Sequence, residues 1–472
     1  MLVKDLVRVF VKGGIISPGD MLKILLTAEK LGASHIHLGS RQDILFAALE
    51  KNKTILDQTF SDINTHYEVN AFEYQNIVSS YVSQDIIPGK RWLASHIYHY
   101  VLDSFEHRTR FRVNVVDPIQ SLVPFFTGNV NFIASNQENY WYVYLRFEEL
   151  HNEPWQMPLL VYTEDLVKIA RTLEDEDLIH QGLDYSQIFD FLTTNVKLNT
   201  QPVTENLILP ETHFPYYEGI NRLPDGKYWL GLYWRDNKYK ISILKAIMER
   251  CISTDVGKIT LSPWKSFVIK GIDESERIGW EKLMGKFGMN MRHSSLELNW
   301  HLPALDEEAM DLKFYLVREL DKQDVSTYGL TFTIKTSDDI TLFTSVVIEK
   351  SKEEGLYNIL HSKGFNPNTN SYQIFAENVP KSVLASLILE LSLVYYENLL
   401  EPQTVSPKVK SITDKIQKEL YQCVHCQTVY DEEYGDEEQG ISGGTAFKKL
   451  PSDYTCPTCG GKKTGFKRMK LE

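Results

Sequence analysis

Residues 423–426 read Cys423-Val424-His425-Cys426 and residues 456–459 read Cys456-Pro457-Thr458-Cys459, with twenty-nine residues between them. Each C-x-x-C pair brings two sulfurs to one tight turn. Two such turns supply the four thiolates of a tetrahedral S4 site, which zinc or a single iron ion takes. Only one other cysteine, Cys251, occurs in 472 residues, so the clustering is not background usage. Two disulfides would need an oxidising compartment. The opening residues Met1-Leu2-Val3-Lys4-Asp5-Leu6-Val7-Arg8 mix both charges into the apolar run and lack a small-residue cleavage site, so the expected setting is the reducing cytoplasm.

The stretch between the knuckles carries a pattern of its own: Tyr430-Asp431, Gly435-Asp436, Gly440-Ile441, Gly444-Thr445, Phe447, Leu450-Pro451 and Tyr454. Its glycines mark positive-φ turns, and its aromatics supply a core too small to fold without a metal. Over about residues 421–468 this resembles rubredoxin, whose pattern runs Y-x-C-x-x-C-G-x-x-Y-D…G-D…G-I-x-P-G-T-x-F…L-P-x-x-W-x-C-P-x-C-G. Gln427 stands where that family has glycine, Gly443 where it has proline and Tyr454 where it has tryptophan. The resemblance implies one iron on Cys423, Cys426, Cys456 and Cys459, with zinc as the alternative. Such a centre passes one electron and has no open position for a substrate. The run Asp431-Glu432-Glu433-Tyr434-Gly435-Asp436-Glu437-Glu438 reads either as a face steering a basic redox partner or as a solvated loop.

The remaining length sets the larger question. The chain is 43% hydrophobic and 24% charged, enough to build a large core. Of its net charge of −13, residues 421–472 contribute −1, eight acids against seven bases. The acidity of the first 420 residues argues against nucleic-acid binding. The longest apolar candidate, Val383 to Tyr396, is interrupted by Glu390 and reads as a core helix rather than a membrane span. Glu401-Pro402-Gln403-Thr404-Val405-Ser406-Pro407 reads as a linker.

Residues 1–400 carry an internal duplication. Ser17-Pro18 opens a helix with an N-cap and an N1 proline, followed by Met21, Leu22, Ile24, Leu25, Ala28 and Leu31 at helical spacing, then by a strand expected over His35–Phe46. About 222 residues later the order returns, as Ile243–Met248 and then Lys258–Ile269. The strand expected at Arg110–Val115 finds its partner in Thr331–Thr336, 221 residues on. The expected organisation is a duplicated α+β scaffold: ferredoxin-like half repeats over 1–70 and 201–285, reductase-like α+β domains over 71–200 and 286–400, a linker over 401–420, and a rubredoxin-like domain over 421–472.

"IHLGSRQDILF" (36–46) resembles the L-T-T-R-Q-x-x-Q strand of sirohaem-binding nitrite and sulfite reductases, and "ITLSPWKSFVIKGI" (259–272) resembles its L-T-P-W-Q counterpart. In that family basic residues hold the sirohaem carboxylates and the anionic substrate. Position by position these become Arg41, Arg110 and Arg112, while Gln75 replaces the arginine of R-N-V. Solvent-facing arginines are the plainer reading of 108–112. The family's cluster cysteines are absent from Met291–Trp300 and from Thr327–Leu330, so the cluster cannot be ligated and six-electron reduction by this chain alone is not expected. His35 and His37 could chelate metal but lack further ligands in sequence, and Cys251 reads as a buried small hydrophobe.

The combined expectation is an electron carrier serving nitrite, nitrate or sulfite assimilation, with the scaffold docking a reductase or an electron donor. Two alternatives are a sirohaem-binding reductase without the cluster and a non-redox zinc-ribbon interaction protein.

Overall fold

Ser17 accepts a hydrogen bond from the amide of Asp20, Pro18 occupies the first helical position, and the helix Pro18–Lys30 buries Met21, Ile24, Leu25 and Ala28 on one face. Each large side chain on that face contributes ~1.5–3 kcal/mol by leaving water. The computed structural model describes residues 6–49, 52–87, 92–210, 213–293, 296–324, 327–337, 340–369, 371–400, 420–432, 434–436 and 439–468. The chain divides into two compact units, Met1–Glu401 and Pro402–Glu472. The sequence-expected linker over 401–420 lies outside the described residues, apart from Leu420.

The expected single strand over His35–Phe46 is a hairpin, His35–Leu38 followed by Ile44–Ala47. The chain reverses because the amide of Gln42 donates to the Gly39 carbonyl and the Gly39 amide to the Asp43 carbonyl, with Gln42 at φ 58°. The second copy repeats this. Helix Ile241–Ser253 starts 223 positions after Pro18, and the hairpin Lys258–Leu261/Ser266–Ile272 turns at Lys265 with φ 57°, 223 positions after Gln42.

The halves also trade edge strands. Ile15–Ile16 joins the second-half sheet at Ile259–Thr260, and Tyr239–Lys240 joins the first-half sheet at His35–Ile36. The pairings Ile16↔Ile259 and Tyr239↔Ile36 exchange under the same 223-residue shift, as a pseudo-twofold requires. Polar side chains secure the exchange. Gln42, fully buried, donates to the carbonyls of Ser79 and Leu261 and accepts from the Ser79 amide, while Asn237 both accepts from and donates to the backbone of Leu38. Residues of both halves, from Val7 to Phe60 and from Leu230 to Met289, fill one shared core.

Each half continues into a larger sheet of the same plan. Val78–Ser79, Val113–Val116 and Val130–Ala134 pair in parallel, and Tyr140–Phe147 adds antiparallel. Trp300–His301, Phe332–Lys335, Val346–Lys350 and Leu356–Ser362 repeat that order and those directions. The strand expected from Arg110 begins instead at Val113. The amides of Arg110 and Phe111 are taken by the Glu174 carboxylate and that of Arg112 by the Asn129 side chain, so a neighbouring strand cannot use them.

The helix Lys381–Leu399 is, by length and composition, apolar enough to cross a membrane, with a mean hydropathy of 1.2. Its inner face, Leu384, Ala385, Ile388, Leu391 and Tyr395, packs into the core of the second large sheet.

Candidate metal centre

In the C-terminal unit Leu420–Cys423 is the central strand, flanked by Val429–Asp431 and Phe466–Arg468. Tyr421, Tyr430, Phe447, Leu450, Tyr454 and Phe466 form the small core, with Tyr421 stacked on Phe447 at 4.1 Å between ring centroids. The two knuckles have one geometry. The Gln427 amide donates to the Cys423 carbonyl at 2.9 Å, as the Gly460 amide does to that of Cys456 at 2.8 Å, and both residues are left-handed, at φ 63° and 68°. The position that the first knuckle gives to Gln427 therefore asks for glycine. At Gly461 an added Cβ would meet His425 Cδ2 at 3.1 Å and lie at ordinary contact distance, 3.4 and 3.6 Å, from Cys459 Sγ and Cys423 Sγ, which places this backbone against the two sulfurs.

The four ligand atoms lie within 4.8 Å of one another, with Cys423 Sγ 3.7 Å from Cys459 Sγ and Cys426 Sγ 3.4 Å from Cys456 Sγ. A tetrahedron with metal–sulfur bonds of ~2.3 Å has sulfur–sulfur edges of roughly 3.8 Å, which these two edges approach. A disulfide, at ~2.05 Å, they do not. The Thr428 hydroxyl stands 3.1 Å from Cys426 Sγ, and this hydroxyl, then the Thr428 amide, draws the Cys426 thiol down to about 6. The donor set is that of a thiolate-bound ion, and it is the only His/Cys/Asp/Glu cluster of metal-ligand spacing among the described residues. His35 and His37, 5.1 Å apart, belong to no such cluster.

The acidic run is partly structural. Glu432 accepts from the Phe447 amide at 2.7 Å, and Asp436 accepts from the Tyr454 hydroxyl at 2.9 Å. The latter bond satisfies the phenol that replaces the family's tryptophan. Glu433, Glu437 and Glu438 lie outside the described residues.

In the scaffold Arg41 donates to Asn114 Oδ1 and to the carbonyls of Asn76 and Val113, at 2.7–2.9 Å. Burial, then the nearby Arg112 charge, pulls it below its ordinary value. Arg112 bonds Thr341 and Asn129 and pairs with Glu148 at 3.4 Å. Arg110 is exposed. The structure thus brings Arg41 and Arg112 within electrostatic reach, each already engaged by protein groups, and leaves Arg110 apart. Gln75 donates to the Phe72 carbonyl. Cys251 is fully buried, its thiol pushed up to about 12 by lost solvation, which makes it an inert core residue. A group that sequence reasoning passed over is Lys265, in the place of the glutamine of L-T-P-W-Q; the substitution itself was its only signal.

Comparison with known proteins follows the same division. The rubredoxin family matches residues 420–466, and the nitrite/sulfite reductase ferredoxin-like half domain matches residues 4–54. Rubredoxin 4 of Rhodococcus sp. (strain Q15) is 43% identical over 53 residues, covering 11% of this chain and 88% of that protein. The high molecular weight rubredoxin of Moorella thermoacetica is 51% identical over 49 residues, and the chain spans only 21% of its length. The structure of the Mycobacterium tuberculosis NirA protein superposes with a TM-score of 0.62 over 85% of this chain and 82% of that one, at 12% identity, a likeness of fold. Through this C-terminal domain, a rubredoxin-type iron-binding electron-transfer unit on a nitrite/sulfite-reductase-like scaffold, the chain belongs to the rubredoxin family.

Proposed function

We propose that the chain is a cytoplasmic one-electron carrier in which Cys423, Cys426, Cys456 and Cys459 hold a single iron, while the duplicated scaffold docks a redox partner, a reductase or an electron donor, of nitrite, nitrate or sulfite assimilation. The observation that carries this is the convergence of four sulfurs within 4.8 Å of one another, with two of their edges at 3.7 and 3.4 Å. Bound iron would supply the change between ferric and ferrous states. The chain's own groups hold four thiolates, bring backbone against two of them at Gly461, and direct the Thr428 hydroxyl and the amides of Thr428 and Gly461 toward the sulfurs of Cys426 and Cys459. Such donors favour the more negative, reduced site.

The scaffold has no thiols where the reductases place their cluster, and Arg41 and Arg112 are engaged by protein groups, so no redox step is assigned to it. Reductive titration of the full-length chain tests the reading. It expects a red protein that bleaches with one electron per chain, and loss of most of the colour on changing any one of the four cysteines to serine. Uptake of several electrons per chain, or full colour in Cys456→Ser, would defeat it.

A further inference from the structure

Segments of both scaffold halves enclose a cavity of about 250 Å³ that electron transfer leaves unused. Trp234, Trp264 and Trp300 give it flat apolar walls, and Lys265 and Lys313 reach it from two sides. Four carboxylates, Asp236, Glu297, Asp306 and Glu307, and four cations, Arg235, Lys238, Lys265 and Lys313, line it, so the contrast lies in how they pair. Glu297, buried, is already shared between Lys313 at 3.1 Å and Arg235 at 2.5 Å. Lys265 Nζ donates to the Leu302 carbonyl, and among the described residues no carboxylate lies within ion-pair distance of it. Asp306, nearby, caps Ala309 and takes the Thr336 hydroxyl.

The repeat sharpens the contrast. At the equivalent turn of the first half Gln42 is neutral and bonded at both ends into the protein. The second half places a cation there and leaves it facing a cavity. Loss of solvation, then the Lys313 charge, bring the Lys265 amine down to about 7, while Asp306 and Asp43 oppose the fall from beyond ion-pair distance. Leu305, on the same cavity, holds φ 63°, a conformation that costs an L-residue ~1–2 kcal/mol and collects at functional sites.

We propose that this cavity binds a small carboxylate with a flat apolar body, its carboxylate on Lys265 Nζ and its body against the indole walls. An organic anion fits better than a bare inorganic one because most of the wall is apolar.

The test uses the full-length chain with benzoate and inorganic phosphate as probes. Calorimetry should show one saturable benzoate site per chain, much weaker phosphate binding, and a loss of about ten-fold or more in benzoate affinity in Lys265→Met. In the unmutated chain trinitrobenzenesulfonate at near-neutral pH should modify Lys265 ahead of the exposed lysines, and benzoate should slow that reaction. No saturable benzoate binding, phosphate binding as tight as benzoate, unchanged affinity in Lys265→Met, or labelling of Lys265 indifferent to benzoate would each overturn the proposal.

Discussion

Thr428→Val removes a hydroxyl and keeps the shape of the side chain, the backbone amide and the first knuckle. The lost group stands 3.1 Å from Cys426 Sγ and 2.9 Å from the Thr458 hydroxyl. Hydrogen bonds to charged acceptors are worth ~1.5–3 kcal/mol. Reduction adds one negative charge to the thiolate cage, so the bond is stronger in the reduced state, by roughly half its value or ~1 kcal/mol. For a one-electron couple 59 mV corresponds to a tenfold change, ~1.4 kcal/mol, which makes the shift ~40 mV. Thr428→Val should therefore lower the midpoint potential by about 40 mV in protein-film voltammetry, and Thr428→Ser, which retains the hydroxyl, should restore most of it. An unchanged or raised potential in Thr428→Val would refute the assignment of that hydroxyl to the reduced site.

Three further outcomes are expected. Gln427→Gly relieves a left-handed side chain at φ 63° but loosens the unfolded chain, and should net a gain of up to about 1 kcal/mol in the C-terminal domain, read as a higher urea midpoint for loss of colour. Arg8 and Glu68 form a buried pair with side chains 5% and 7% exposed, so Glu68→Gln should destabilise the scaffold by about 3 kcal/mol in calorimetry, and Arg8→Met with Glu68→Leu by less. His37 is held neutral down to about 4 by burial, against an unfolded value near 6.5. Below pH 6.5 the unfolded chain takes the proton first, so scaffold stability should fall by up to about 3 kcal/mol between pH 6.5 and 4, and the fall should flatten in His37→Gln.

The metal domain was legible because its ligands are local. Cys423 and Cys426 share one turn and Cys456 and Cys459 another, so spacing alone states the chemistry. The duplication was legible through repeated order, and the 223-residue offset of helix and hairpin bears it out. The reversals at Gln42 and Lys265 were not, because side chains that usually avoid φ above zero occupy them. The arginine alternation at 110 and 112 looked like a strand, but Glu174 and Asn129 take the amides a strand would need. The cavity on Lys265 was invisible for a different reason. It draws on residues 35–47, 233–238, 264–265 and 297–313, which only the exchange of strands between halves brings together.

The central claim, one iron on four cysteines, is tested most directly by metal analysis and the visible spectrum of the protein purified from its own cells. The account predicts about one iron per chain, a red oxidised form and bleaching with dithionite. Colourless protein with one zinc per chain would contradict it.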